Sequence, residues 1–449
     1  MPLATAANPE LQFRDRGSEI GAFPPEFDLL LCCARTTLDV ATSARLRALV
    51  AGEIDWPNFV SLAVAHGVVP LVYQSLKSAC WNMVPEAQQK QVRDYVLANA
   101  QSALRLTAEL LRLLELFEAR HIPVIPFKGP ALAASVYGSP AMRQFGDLDL
   151  LVHERDVKKA KELLIAEGYR CQFNLTEWQE AAFIRYECEY AFTAKAGTAN
   201  SRPAGIGCLS PLSPSAESTR TAEPPAPRPM VEIHWRLAPR HFRYPFDAAA
   251  IWQRAVPVTV AGRPMLSFHP EDLLLFLCLH GAKHLWSQLK WICDIAKLIR
   301  QHPDLDWDGL QTRSRRLGCE RILLLGLHLA NDLLGAKPAW GRIPSCGRFP
   351  IGPSQNQPKS SRDVAIRNLA AEVCLRLATP GAAPPGTFAS LSFHLKARER
   401  LFDRLHHAVL ILTTPTVADW ESLRLPCALF PLYYLSHPFR MIRKHGGRV

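Results

Sequence analysis

The stretch KGPALAASVYGSPAMRQFGDLDLLV, Lys128 to Val152, decides the fold of the middle of this chain. It follows HIPVIPF (121–127), an apolar run with β-branched residues between two prolines, which predicts a short buried strand. After Gly129, PALAASVYG predicts a helix with a proline in its first turn. LDLLV then predicts a second strand. The expected order is therefore strand, glycine turn, helix and strand.

Two carboxylates stand one residue apart in the second predicted strand. Because side chains alternate across a strand, Asp147 and Asp149 share one face while Leu148 and Leu150 share the other. Two ionised carboxylates roughly 6–7 Å apart repel each other and favour a positive charge beside them. A bound Mg²⁺ is the usual counter-ion, and the N–H groups that begin the preceding helix favour a phosphate nearby. An isolated Asp-x-Asp also occurs on solvated strands, but this context favours phosphate handling.

KGPALAASVY and MRQFGDLDLLV resemble the DNA polymerase beta-like nucleotidyltransferase superfamily, in which a glycine-containing turn precedes a helix and an Asp-x-Asp strand. They look most like an uncharacterised bacterial group of nucleotidyltransferase family proteins and are more distantly similar to abortive-infection nucleotidyltransferase toxins. The resemblance covers roughly residues 28–340. It implies an α+β fold, in which a small mixed sheet, the polymerase beta-like core, is flanked by extensive helical N- and C-terminal regions. The superfamily usually has Gly-Ser or Gly-Gly at the turn, whereas Pro130 removes a backbone donor here.

The resemblance also implies a third acid on a later strand. PMVEIHWRL (229–237) alternates apolar and polar residues with the period of a half-buried strand, and it offers Glu232. Glu232 would join Asp147 and Asp149 in holding metal, or would act as the base that takes the acceptor's proton. The alternative is an ordinary strand whose polar face, Glu232 with His234 and Arg236, meets solvent.

Three further residues match the nucleotide-binding side of the superfamily. The resemblance implies that Gly129 lets the backbone approach the triphosphate, and that Lys128 and Arg143 neutralise its charge. Alternatively, either side chain could be solvated at the surface, and Arg143 could hold the carboxylates in position instead of a phosphate.

A long amphipathic stretch, 273–299, carries His280, Lys283 and His284 and is expected to break near Ser287. The resemblance makes it a helical wall over the cleft, so that these three residues, together with His234, are candidate substrate contacts. No nearby Cys or Glu completes a zinc site of the HExxH kind, so we do not expect structural zinc. The tryptophans and leucines of the stretch are most simply core residues.

Composition is that of a globular protein. The 449 residues, 48% hydrophobic and 21% charged, exclude wholesale disorder and suffice for two or three domains. Twelve scattered cysteines without a CxxC pair favour free thiols in a reducing cytoplasm. The N-terminal segment lacks the apolar region of an export signal, and LPCALFPLYYL is shorter than the roughly 20 residues that span a bilayer. We therefore expect a cytoplasmic protein without a transmembrane segment.

The chain divides into regions of different composition. We predict a disordered N-terminus (1–25), a helical region (26–120), the nucleotidyltransferase core (121–240), a second helical region (241–340), a linker (341–387) and a basic helical C-terminal region (388–449). Residues 195–229, rich in Pro, Ser, Ala and Thr, cannot bury much apolar surface and are predicted to be a disordered insertion in the core.

These features together predict a metal-dependent nucleotidyltransferase that uses Mg²⁺ or Mn²⁺. It would move an NMP from an NTP to a hydroxyl of an acceptor, which could be a small molecule, a sugar, a protein or RNA, and would release pyrophosphate. The net charge of +11, from 52 basic and 41 acidic residues, suits binding of a triphosphate or an RNA acceptor. Two alternatives stay open: a catalytically inactive nucleotide- or partner-binding module of the same fold, and a tRNA-modifying toxin-like nucleotidyltransferase.

Overall fold

A computed structural model describes residues 23–35, 38–194, 228–242, 248–338, 361–379, 386–423, 425–426 and 429–445. Most of the predicted disordered N-terminus (residues 1–22) and most of the predicted insertion (residues 195–227) lie outside the described residues. None of the helices in the described ranges combines the length and the apolar content that crossing a bilayer requires.

Helices precede the first strand, as the sequence predicts. They are α1 (Pro25–Ala34), α2 (Val40–Val50), α3 (Trp56–Ala65), α4 (Val69–Ala79) and α5 (Glu86–Ala119). One apolar stripe along α5 is buried, and Leu110, Leu113 and Phe117 in it are at most 1% exposed. Apolar residues that recur every three to four positions share one helix face, and this face of α5 packs against the apolar residues of the sheet.

The sheet region follows α5. Its elements are β1 (Val124–Pro126), α6 (Gly129–Tyr137), β2 (Asp147–Val152), α7 (Val157–Ala166), β3 (Tyr169–Cys171), α8 (Glu177–Tyr186), β4 (Glu189–Ala194) and β5 (Met230–His234). The five strands form one sheet in the order β1-β2-β5-β4-β3. Only β2 and β5 run parallel, and the other neighbours are antiparallel. The expected α+β fold with a small mixed sheet among helices is confirmed.

The remaining elements surround this sheet. They are α9 (Ala248–Arg254), β6 (Val256–Val260), β7 (Arg263–Ser267), α10 (Pro270–Lys283), α11 (Leu289–Gln301), α12 (Trp307–Leu317), α13 (Glu320–Leu334), α14 (Ser361–Ala378), α15 (Thr387–Ala397), α16 (Leu401–Thr413), α17 (Val417–Ser422) and α18 (Leu432–His445).

Two segments differ from the sequence prediction. The region 241–340 is not wholly helical, because β6 and β7 form an antiparallel hairpin around Ala261 and Gly262, which both have positive φ. Such a two-residue turn with positive φ suits a tight hairpin. The predicted linker 341–387 contains α14, which buries Ile366 and Val373. Proline- and glycine-rich flanks obscured its helical periodicity.

A strained turn separates α10 from α11, at the break that the sequence predicts. Leu285 and Trp286 both lie in the left-handed region, with φ of +57° and +54°. The Trp286 side chain is fully buried and fills the space beside Gly281 and Gly326. Burial of this indole compensates for the backbone strain, and the turn thereby aims the end of α10 and the start of α11 at the sheet.

We predict that Gly281→Ala destabilises the protein. An alanine in place of a helical glycine normally stabilises a helix, but a Cβ at Gly281 would overlap the Trp286 ring. The clash should lower the free energy of unfolding by about 1–3 kcal/mol in denaturant titrations. Gly146→Ala is the control, because nothing lies within 4 Å of its Cβ position. Equal stability of the two variants would contradict the role of the Trp286 contact.

Candidate active site

The parallel pair β2 and β5 brings the predicted acids together. Asp149 lies opposite Glu232 in the strand register, and Asp147 lies one pleat earlier on the same face. The alternating residues Leu148 and Val231 are buried on the other face. Ligand atoms of Asp149, Glu232 and His234 all lie within 4.8 Å of one another.

Asp149 is the buried centre of this group, with 1% of its side chain exposed. Its Oδ1 accepts a hydrogen bond from His234 Nε2 at 3.2 Å and forms an ion pair with Lys128 Nζ. Burial alone would raise the pKa of Asp149, but the positive charges of Lys128 and His234 hold it below its usual range. Its other oxygen, Oδ2, is buried and has no hydrogen-bond partner among the described residues.

The pKa of Asp147 shifts in the opposite direction from that of Asp149. Burial and the neighbouring Asp149 carboxylate raise the pKa of Asp147 to about 6. Within the described ranges, no hydrogen bond or ion pair engages its side chain. Of the two acids, Asp149 therefore keeps the negative charge while Asp147 accepts a proton first.

Lys128 supplies positive charge directly beside the carboxylates. Its ammonium lies 5.6 Å from the Phe127 ring centre and 5.8 Å from that of Phe276, so that both aromatic faces support the charge. Burial would lower the pKa of Lys128, but the charge of Asp149 raises it instead. The family resemblance implies that Lys128 binds the triphosphate. In this structure Lys128 pairs with Asp149, and its contact with a triphosphate stays a prediction.

Gly129 begins α6 directly after Lys128. Its φ is +53°, and a Cβ there would lie 3.0 Å from the carbonyl oxygen of Asp147. Both the backbone conformation and the close approach of β2 therefore require glycine at this turn.

His234 connects the acids to a second carboxylate. Its ring lies between Asp149 and Glu232 on one side and Glu189, whose Oε2 is 3.2 Å from Nδ1, on the other. Burial lowers the pKa of His234, but its hydrogen bonds, that with Asp149 foremost, raise it well above its usual value. The ring is therefore positively charged. Since His234 is only 3% exposed, this end of β5 does not meet solvent.

Glu189 also binds Lys283, whose Nζ donates to its two carboxylate oxygens at 3.2 and 3.4 Å. Burial opposes ionisation of Glu189, but His234 and Lys283 outweigh it and lower its pKa to about 2. The adjacent Cys188 Sγ donates to Glu189 at 3.4 Å. Cys188, Glu189 and His234 form a second group whose ligand atoms lie within 4.8 Å of one another.

Arg143 pairs with Asp294, an acid outside the group of Asp147, Asp149 and Glu232. Its Nε and Nη2 donate to Asp294 on α11 at 2.9 and 2.8 Å, and the Tyr137 hydroxyl donates to the same carboxylate at 2.8 Å. Asp294 is fully buried and Arg143 is 7% exposed. This bidentate pair ties the chain between α6 and β2 to α11. The expected contact of Arg143 with a phosphate stays a prediction.

His280 and His284 lie one turn apart at the end of α10, with ring centres 4.6 Å apart. Each ring also contacts Trp291, at 5.6 and 5.3 Å between ring centres. Burial lowers the pKa of His280 well below its usual value, and burial with the Lys283 charge lowers that of His284 to about 3. Both rings are therefore neutral. Their predicted contact with a substrate stays a prediction.

One family model, described as an uncharacterised nucleotidyltransferase, matches residues 52–335, well over half of the chain. The chain belongs to this nucleotidyltransferase family. No curated protein and no solved structure matches it. The matched range of the nucleotidyltransferase contains the whole sheet, the acids, and helices α10 and α11. The family recognised from KGPALAASVY and DLDLLV is confirmed.

Two polar residues of this nucleotidyltransferase escaped the sequence analysis. Glu189 begins β4 and reaches the acids through His234, but its sequence neighbours carry no recognisable motif. Lys290 lies in the first turn of α11, and burial together with Arg143 lowers its pKa to about 8. Its position one helical turn, four residues, before Asp294 was the only available signal.

Replacement of Asp294 by asparagine should destabilise the nucleotidyltransferase. The substitution leaves the buried Arg143 guanidinium without its charged partner, which costs about 3 kcal/mol or more. Chemical denaturation measures this loss. The control is Asp94→Asn, which removes an exposed partner of Lys90 and should change stability by less than about 1 kcal/mol. A loss no larger than that of the control would contradict the structural role of the pair.

Asp147→Asn should instead stabilise the protein at pH 8 in the presence of a chelator. The folded-state pKa of about 6 lies above the usual value, so Asp147 contributes stability below about pH 4 and loses it as pH rises through 6. The variant should gain about 1–2 kcal/mol at pH 8, and the gain should largely disappear at pH 4. Asp94→Asn should show no such pH dependence. A gain that is equal at both pH values would refute the repulsion between Asp147 and Asp149.

Proposed function

We propose that this protein transfers an NMP from an NTP to a hydroxyl acceptor and releases pyrophosphate. The observation that carries the proposal is the pair Asp147 and Asp149 beside Glu232, on neighbouring parallel strands. Asp149 Oδ2 is buried and has no hydrogen-bond partner within the described residues, and no hydrogen bond or ion pair there engages the partly exposed Asp147 carboxylate. Buried carboxylate oxygens without partners are costly, and a bound cation offsets that cost.

These residues fit a divalent metal. An all-oxygen donor set of Asp147, Asp149 and Glu232 is the kind that Mg²⁺ or Mn²⁺ prefers, and the free Oδ2 of Asp149 provides a ligand position. The metal would supply charge stabilisation at the phosphoryl oxygens.

The chain's own residues would handle the nucleotide and the proton. In the transfer, the acceptor oxygen bonds to the α-phosphorus, the bond from that phosphorus to the bridging oxygen breaks, and pyrophosphate leaves with the electron pair. Glu232 takes the proton of the acceptor hydroxyl. Lys128 exchanges part of its contact with Asp149 for a phosphate oxygen, while Gly129 lets the backbone approach the triphosphate.

We further propose that the five-stranded sheet is a polymerase beta-like core. In support, the glycine turn, α6, the Asp-x-Asp strand and the third acid on the adjacent strand follow one another in the order that this core uses.

A second candidate is a non-catalytic nucleotide- or partner-binding module of the same fold. It is favoured by the ion pairs of Lys128 and His234 with Asp149, which already neutralise the carboxylate that metal would need. The two candidates differ in turnover: a module binds nucleotide without transferring it.

Labelled NTPs, incubated with the protein, Mg²⁺ and a cell lysate, test the transfer. We expect label in one acceptor fraction, no label when a chelator is present, and at least about a hundred-fold less label with Asp147→Asn. Asp147 suits this test better than Asp149, because Asp149 holds Lys128 and His234 and its replacement would also disturb the fold.

The matched control is Asp94→Asn, which removes an exposed acid far from the sheet in sequence. It should label the acceptor as the wild type does. Wild-type labelling retained in folded Asp147→Asn would refute the metal role. Nucleotide binding without any labelled fraction would favour the binding module.

A further inference from the structure

Among the described residues, four lysine and arginine side chains interact with the acids of the site in addition to His234, and three of the four are paired. Lys128 pairs with Asp149, Arg143 with Asp294, and Lys283 with Glu189; the three acids lie on β2, α11 and β4. The fourth is Lys290. Across the residues that the structure describes, no hydrogen bond or ion pair engages its ammonium group. Lys290 is partly buried, and an ammonium group that is partly desolvated and lacks a partner is available to a bound anion.

The stem of Lys290 is held in place by the connection between α3 and α4. Its backbone N–H donates to the His66 carbonyl oxygen at 3.2 Å, and the preceding N–H of Leu289 donates to His66 Nδ1 at 3.3 Å. His66 is itself fixed, since its Nε2 lies 3.0 Å from the Leu377 carbonyl oxygen. The lysine therefore extends from a rigid base.

Gly67 adds a second constraint on the same stem. It has a φ of +68°, and a Cβ there would lie 2.8 Å from Lys290 Cδ. Only glycine leaves room for the aliphatic stem of Lys290 at this point. A surface lysine would need no such accommodation, because its stem moves freely in solvent.

The charge of Lys290 acts on the catalytic face of the sheet. It interacts with Asp147 and Asp294 favourably, and with Arg143 and Lys128 unfavourably. Lys290 also lies in the first turn of α11, where the helix N-terminus favours negative charge. An anion beside Asp147 would relieve the repulsion among these cations.

We infer that Lys290 is a polyphosphate-binding residue, whose ammonium contacts a phosphoryl oxygen of the NTP or of the pyrophosphate that leaves. The inference rests on the proposed function for the identity of the substrate. The class of anion follows from the charges of the cations. A polyphosphate carries several negative charges, and Lys128 and Lys290 both interact electrostatically with Asp147.

Calorimetric titration at pH 7 with Mg²⁺ tests the inference, with inorganic triphosphate and each of the four NTPs as probes. Lys290→Met should weaken binding of inorganic triphosphate and of the NTPs by the same factor, about ten-fold or more. Lys290→Arg should restore most of the affinity, because a guanidinium also binds phosphate. Lys297→Met is the matched control: it removes the same charge from the same helix two turns later, and should bind as the wild type does.

Thermal melting accompanies each titration. Lys290→Met should melt no lower than the wild type, because the lysine has no partner to lose among the described residues. Wild-type affinity for triphosphate in Lys290→Met would overturn the inference, as would an equal loss in Lys297→Met, or absence of triphosphate binding by the wild type. Triphosphate binding that depends on Lys290, in a protein without NMP transfer, would support the inference and refute the proposed catalysis instead.

Discussion

The parallel pairing of β2 with β5 is the constraint on which the rest of the site depends. It places Asp147, Asp149 and Glu232 on one side of the sheet, where burial strengthens their mutual repulsion. Lys128 and His234 contact Asp149 and not Asp147, so they offset this repulsion most strongly at Asp149. The two acids of one strand consequently differ in protonation: the pKa of Asp149 is lowered, and that of Asp147 rises to about 6. Asp149 therefore keeps a negative charge, while a proton and a cation compete for Asp147.

Long-range contacts of the helices hold the charged groups around this pair. The left-handed turn at Leu285 and Trp286 follows the end of α10, where Lys283 binds Glu189, and precedes Lys290 of α11, whose charge interacts with Asp147. The Arg143–Asp294 pair then ties α11 to the segment that leads into β2. These contacts join residues that are far apart in sequence, so the helices and the sheet act as one support for the site.

Local pattern predicted much of this arrangement. The alternation in DLDLLV placed both aspartates on one face, and that in PMVEIHWRL placed Glu232 and His234 on one face of a later strand. The hairpin of β6 and β7 was missed, because short alternating runs between helices resemble loop sequence. Helix α14 was missed because its proline-rich flanks dominated the composition around it.

The sequence by itself determined the family, the strand pattern and the three acids, because these depend on residue spacing within short segments. The tertiary structure alone decided the partner of each charge. Lys128 meets Asp149, Arg143 meets Asp294 and His234 meets Glu189, and none of these pairs follows from spacing along the chain. Electrostatic interaction depends on distance and burial in space, and both arise only when helices from distant parts of the chain pack over one sheet.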